Sequence, residues 1–202
     1  MHGLYKYDGL KIKAQAIRTC YTALKMNKAI LLFDKHITAQ LLRLPSFFKP
    51  YFAAVTWVGS PFITMSLTSV AAVVAALLQN GSLFLLCVAV AGAILASNVL
   101  KISVRRPRPE TPYSKAMPFK TFSFPSGHAF SSLLVYGIAC LIIADFISLT
   151  AAVMLFILLA VLIISIGLSR VYLGAHYASD VAGGWVLSIL TLVVLLPLIR
   201  AV

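Results

Sequence analysis

Three short strings of this chain carry residues that can do chemistry together. They are Lys101 to Pro109 (KISVRRPRP), Pro125 to His128 (PSGH) and Ser169 to Asp180 (SRVYLGAHYASD). Between them they hold a lysine, several arginines, two histidines, a serine–glycine turn and an aspartate, and each ends or begins a long uncharged run. Charged groups at the mouth of an apolar helix bundle are costly and need a reason to be there. Phosphate-ester chemistry gives one reason for all of them.

Each string alone is ambiguous. In Pro125-Ser126-Gly127-His128, proline suits a first helical turn and glycine lets backbone approach a ligand. The free N–H groups of a helix start attract anions, Ser126 adds a hydroxyl, and His128 can give or take a proton near neutral pH. An ordinary helix cap explains the tetrapeptide as well. His176 and Asp180, four residues apart, share a helix face. The carboxylate can fix the imidazole tautomer and leave the other nitrogen as a nucleophile or base; a plain surface contact has the same spacing. Lys101, Arg105, Arg106, Arg108 and Arg170 can stabilise the charge that spreads over a phosphoryl group in transfer. Arginine forks do so bidentately and lysine as a point charge. Arg105, Arg106, Lys115 and Lys120 read instead as topology signals of a membrane protein.

The elements that must position these residues are membrane helices. The chain of 202 residues is 61% hydrophobic with 11% charged residues, and its mean hydropathy is +0.98, beyond a soluble domain. Pro50 to Leu100 and Val181 to Ile199 carry no charge, and Thr121 to Ser169 carries only Asp145. At about 20 residues per crossing, spans are predicted over 52–79 (bent near Gly59-Ser60-Pro61), 83–100, 126–144, 148–168 and 177–199. A proline-rich polar loop is predicted from Lys101 to Thr121. The fold class is therefore all-α, a polytopic bundle of about five transmembrane helices. Residues 1–50 form a basic amphipathic interfacial region and residues 51–202 the membrane-embedded domain. Within the former, an amphipathic helix is expected over 11–45, with Ile30, Phe33, Ile37, Leu41 and Leu44 on one stripe. Its charges argue against a span; it either lies among anionic headgroups or covers the bundle mouth. No signal peptide is read at the N-terminus.

Counting spans brings the three strings to one membrane face. Net charge is +12, and of 17 Lys and Arg only Arg200 falls on the other face. The positive-inside rule makes the charged face cytoplasmic. Nucleic acid is disfavoured as a partner because no soluble domain remains to read it. Cys20, Cys87 and Cys140 show neither disulfide nor zinc spacing, and Gly183-Gly184 can serve packing within the bundle or between chains.

Taken together, Lys101 with six residues before Arg108-Pro109, then Pro125-Ser126-Gly127-His128, then Ser169-Arg170 with His176 and Asp180 resembles the type 2 phosphatidic acid phosphatase superfamily of membrane lipid phosphatases, from about residue 55 to 199. The resemblance implies that His176 attacks phosphorus and carries a phosphohistidine, that Asp180 orients it, and that His128 protonates the leaving oxygen and helps activate water. It implies that Lys101, Arg108, Arg170, Ser126 and the Gly127 N–H hold the phosphoryl oxygens. No cofactor or metal is implied, and Asp180 and Glu110 are the only acids near the mouth. The expected substrate is a lipid phosphate or diphosphate: phosphatidic acid, phosphatidylglycerol phosphate or a polyprenyl phosphate. A lipid phosphotransferase and a non-catalytic anion-binding membrane protein are the alternatives; haloperoxidases with a similar pocket are soluble. Many bacterial members have a sixth span ahead of the segment matching residues 29–50. An amphipathic basic stretch in its place fits a bacterial plasma-membrane protein whose site faces the cytoplasm.

Overall fold

The computed structural model of the chain describes residues 27–118 and 121–202. Among these residues all regular structure is helical: α1 (Lys28–Leu41), α2 (Phe48–Val58), α3 (Pro61–Leu77), α4 (Gly81–Val104), α5 (Pro112–Ala116), α6 (Gly127–Ala144), α7 (Leu149–Tyr172) and α8 (Ala178–Ile199). Five segments are long and apolar enough to cross a membrane: α2 with α3, α4, α6, α7 and α8. Large apolar side chains such as Phe62, Leu77, Leu158 and Val194 remain exposed on their outer faces, as lipid-facing surface requires.

The break in the first span follows from Pro61, which keeps the preceding residue out of helical geometry. Ser60 is extended and caps α3 by accepting from the Ile63 amide at 3.3 Å. The Tyr136 hydroxyl donates to the Val58 carbonyl at 2.7 Å and so satisfies a group at the end of α2. Such repairs are needed because lipid offers no hydrogen bonds. The second span runs on past the expected end, through Lys101 to Val104. No breaker stands before Pro107, so the helix continues until Arg105 turns left-handed at φ 53°. Lys101 therefore sits on a helix and not in a loop.

The third span, α6, is the centre of the bundle: 44% of its apolar window is buried, against 17–28% for the other spans. It packs on α3, α4, α7 and α8. Leu86, Val90 and Ile94 of α4 meet Phe130, Leu134 and Ile138 of α6 and Leu195 and Ile199 of α8 in one core. Helices in lipid associate through close packing and small residues more than through water exclusion. At Gly184 a Cβ would stand 2.8 Å from the Ser126 carbonyl oxygen, so only glycine lets α8 approach the start of α6 this closely. The glycine pair thus serves packing within the bundle.

The N-terminal segment differs from the expectation in a way that matters for the site. The amphipathic helix, as far as it is described, is α1; its expected portion up to residue 26 lies outside the described residues. It covers the bundle mouth, packing on α7 and α8. The C-terminal part of the predicted stripe packs inward as expected, with Leu41 buried and Ile37 and Leu44 against the same cluster. Its N-terminal part does not: Ile30 and Phe33 are 36% and 45% exposed, while Asp34 is wholly buried. Asp34 is drawn in because Arg106 and the Ser179 amide and hydroxyl lie beneath it. The first span also starts at Phe48, a few residues inside the expected interfacial region.

Candidate active site

Hydrogen bonds between main-chain groups stitch the three strings together. The Ser123 amide donates to the Arg106 carbonyl at 2.7 Å, and the Ser126 amide donates to the Asp180 carbonyl at 3.0 Å. Arg108 Nη1 donates to the Ala175 carbonyl at 3.0 Å. Gly174 adopts φ +77°, where a Cβ would also collide with Thr111; that turn takes the chain from α7 to α8. The Thr111 hydroxyl donates to the Gly174 carbonyl at 2.8 Å while it caps the short α5. The bond from Ser126 to Asp180 fixes the start of α6 against the start of α8, and so His128 against His176.

His176 is 3% exposed, in the turn before α8. Its Nε2 faces Arg108 Nη1 at 3.1 Å. A guanidinium can only donate, so Nε2 carries the lone pair and the imidazole proton sits on Nδ1. That nitrogen lies 3.5 Å from Asp180 Oδ2 and 3.4 Å from the Ser123 hydroxyl. Asp180 is fully buried and held on every side. Its Oδ2 accepts from the Tyr177 amide at 2.9 Å and from the Ser123 hydroxyl; its Oδ1 accepts from Arg106 Nη1 at 2.5 Å. A fixed carboxylate behind one imidazole nitrogen leaves the other as a directed nucleophile or base.

The cations expected at the site converge on it from separate elements. Lys101 in the last turn of α4 is 7% exposed, and its Nζ lies 3.1 Å from where a Cβ on Gly127 would stand. Arg170 in the last turn of α7 is 1% exposed; its Nη1 donates to the Thr56 hydroxyl at 2.5 Å and to Tyr113 Oη at 3.4 Å. Arg108 is half-buried and braced by the Thr121 carbonyl at 2.7 Å and hydroxyl at 2.8 Å. His128, in the first turn of α6, stands within the fields of Arg170, His176, Lys101 and Arg108. The amides of Gly127, His128 and Ala129 precede the first intrahelical bond, Phe130 to Ser126 at 3.0 Å, and so point out of the helix start. The Ser126 hydroxyl is buried with no hydrogen-bond partner among the described residues. Beside Arg108 an open cleft of about 390 Å³ is lined by Pro107, Ser114, Lys115, Thr121 and Phe122.

Arg106 corrects the sequence reading, which made it a topology signal. It is 2% exposed and bridges Asp180 at 2.5 Å and Asp34 at 2.8 Å, with its guanidinium 4.3 Å above the Tyr177 ring. Removing one partner of such a buried pair costs about 3–5 kcal/mol. Arg105 is exposed, as expected of a topology residue. Ser123, Thr121, Thr56 and Tyr113 escaped the sequence because lone hydroxyls carry no spacing signal. Asp34 did carry one. It lies three and seven residues before Ile37 and Leu41, so an acid shares their face of an amphipathic helix.

Burial first, and then the charges of Arg108, Arg170 and Lys101, hold the His176 imidazole well below its ordinary value of 6.5. This environment favours the neutral imidazole, whose Nε2 lone pair faces Arg108. Below pH 6.5 the unfolded chain takes up a proton at this position that the folded chain refuses, so this group's contribution to stability is lost as pH falls through that range. Nitrogen-15 NMR of histidine-labelled protein in detergent should show His176 neutral at pH 6.5. A His176 half-protonated at that pH would contradict the assigned field.

Comparison with known proteins bears on the family and the fold. A model of the PAP2 superfamily matches residues 82–201. Phosphatidylglycerophosphatase B of Bacillus subtilis (strain 168) is 34% identical over 98 residues, covering 48% of this chain and 47% of that protein; the matched stretch thus spans about half the length of that relative. The crystal structure of a transmembrane PAP2 type phosphatidylglycerolphosphate phosphatase from Bacillus subtilis superposes with TM-score 0.74 at 24% identity, over 98% of this chain and 96% of that one. LpxE of Aquifex aeolicus superposes with TM-score 0.58 at 19% identity, over 83% and 94%. At these identities the two structures bear on the fold, which is the expected all-α membrane bundle. With the three motif strings gathered at one mouth of that bundle and the family match covering more than half its length, the chain is an integral membrane protein that belongs to the PAP2 superfamily.

Proposed function

We propose that this protein hydrolyses the phosphomonoester or diphosphate of a membrane lipid through a phosphohistidine on His176, with no metal ion. The observation that carries this reading is the imbalance of charge around Nε2. Lys101, Arg108 and Arg170 face one small space, and among the described residues the carboxylate beside it, Asp180, is already paired with Arg106. Three like charges brought together call for an anion between them, and a phosphoryl group supplies up to two negative charges over three oxygens.

In this mechanism the phosphoryl oxygens take the donors of Lys101, Arg108, Arg170, Ser126 and the Gly127 amide. The phosphate displaces Arg108 from the Nε2 lone pair and so brings phosphorus to the nitrogen. The P–Nε2 bond forms as the bond from phosphorus to the lipid oxygen breaks. His128 donates a proton to that leaving oxygen. Water then attacks phosphorus and gives a proton to His128, the P–Nε2 bond breaks, and inorganic phosphate leaves. Asp180 holds the Nδ1 proton in place and offsets the charge that the phosphohistidine places on the ring. General acid help of this kind is worth about 10²–10⁴-fold.

The site lies where the apolar spans end, so a lipid phosphate reaches it by diffusing in the membrane, with its headgroup in the cleft beside Arg108. The relative named a phosphatidylglycerophosphatase makes phosphatidylglycerol phosphate the first substrate to test, followed by phosphatidic acid and polyprenyl phosphates. Phosphate release from this panel, with chelator present, should be abolished in His176→Ala while the protein still elutes as a folded species. Asp180→Asn should lose about 10²–10⁴-fold. Wild-type turnover by His176→Ala would exclude it as nucleophile.

The same reading puts the mouth on the cytoplasmic side of a bacterial plasma membrane, on the charge bias: among the described residues, Arg200 is the only Lys or Arg at the far end of the bundle. A reporter fused after Val202 should then be active outside the cytoplasm. A cytoplasmic signal there would reverse the orientation.

A further inference from the structure

We infer that Asp34 and Arg106 are positioning residues for the reaction, and that the docked α1 helix is part of the catalytic apparatus. The inference rests on His176 acting as the nucleophile.

The two oxygens of Asp180 have separate tasks. Oδ2 looks towards His176 Nδ1 and takes the Ser123 hydroxyl and the Tyr177 amide. Oδ1 turns away and is bound at 2.5 Å by Arg106 Nη1. That bond sets the rotation of the carboxylate about its own axis and hence the direction of Oδ2. Arg106 is itself fixed from the other side: Nη2 meets Asp34 Oδ2 at 2.8 Å, and Nη1 also reaches the Ser179 hydroxyl at 2.7 Å. Asp34 in turn accepts from the Ser179 amide at 2.7 Å and hydroxyl at 2.8 Å. Asp34, Arg106 and Asp180 are each at most 2% exposed. A buried guanidinium between two carboxylates divides its charge between them. Asp34 draws part of the guanidinium's charge away from Asp180, which leaves Asp180 more negative charge with which to hold the Nδ1 proton. The chain runs from a helix outside the spans, through one arginine, to the imidazole.

A purely structural role for this pair, as a latch for α1, makes a different forecast from a positioning role, and the pH profile separates them. The charged and titratable groups facing His176 are Lys101 on α4, Arg108 on the connecting loop, His128 on α6, Arg170 on α7 and Asp180 on α8. All stay in place in the variants that test the pair. Phosphate release from short-chain phosphatidic acid and from phosphatidylglycerol phosphate is measured on full-length protein in detergent, for Asp34→Asn, Arg106→Met and the double variant, beside His176→Ala. Asp34→Asn should lower kcat about 10–100-fold, the usual effect of removing a partner that orients a reacting imidazole, with KM little changed. Its acid limb should move to lower pH, because more of the guanidinium's positive charge then bears on Asp180 and the imidazole behind it. Arg106→Met should lower kcat and move the limb the other way, because Asp180 then acts on the imidazole undivided. The double variant removes both charges of the Asp34–Arg106 pair and should recover folded yield relative to Arg106→Met without recovering kcat.

Wild-type kcat and an unmoved acid limb in Asp34→Asn, with His176→Ala inactive, overturn the inference and leave the nucleophile assignment standing. Recovery of kcat together with folded yield in the double variant reduces the pair to a latch and also overturns it. Wild-type turnover by His176→Ala overturns the nucleophile assignment itself.

Discussion

The mouth of this bundle is organised around one buried carboxylate. Asp180 accepts from a main-chain amide, a serine hydroxyl and a guanidinium, and its second oxygen backs the Nδ1 side of His176. Each partner comes from a different stretch of chain: the turn before α8, the irregular segment leading into α6, and the loop after α4. A carboxylate buried without partners would be too costly to keep charged, so the helix ends that carry those partners must gather round it. The same gathering brings Lys101, Arg108 and Arg170 to the far side of the imidazole. The arrangement that satisfies Asp180 therefore creates the excess positive charge that an anion must balance.

The bundle below the mouth is built for a different solvent. In lipid, apolar faces gain little from finding each other, and close contact at small residues takes over. Gly184 shows how this reaches the chemistry. By letting α8 lie against the first turn of α6, it sets the spacing between the helix that begins with His176 and Asp180 and the helix that begins with Ser126 and His128. The break at Ser60-Pro61 has a related effect, because it gives α2 a direction of its own and brings Thr56 to Arg170.

Much of this was legible in the sequence. Uncharged runs near membrane length, separated by charged strings, gave the spans and the shared face. The spacing of Lys101, Arg108, His128, Arg170, His176 and Asp180 gave the expected site, and the structure gathers these residues around one imidazole. What remained hidden depended on which way side chains turn. Arg106 and Arg105 are neighbours with the same charge, yet one is buried between two acids and the other is in solvent; only the left-handed turn at Arg105 before Pro107 separates them. Asp34 lay on the apolar face of its helix, a misplacement that reads afterwards as a partnered charge. Ser123 and Thr56 are single hydroxyls whose value depends wholly on the fold around them.

In the proposed function the three cations and His176 Nε2 define one phosphoryl site. Vanadate takes the trigonal-bipyramidal geometry of phosphoryl transfer, so an experimental structure with vanadate is the decisive experiment. Vanadium should be bonded to His176 Nε2, with its equatorial oxygens on Lys101, Arg108 and Arg170 and Arg108 moved off the imidazole. Vanadate bound elsewhere, or bound at the mouth with Nε2 still held by Arg108, would contradict it.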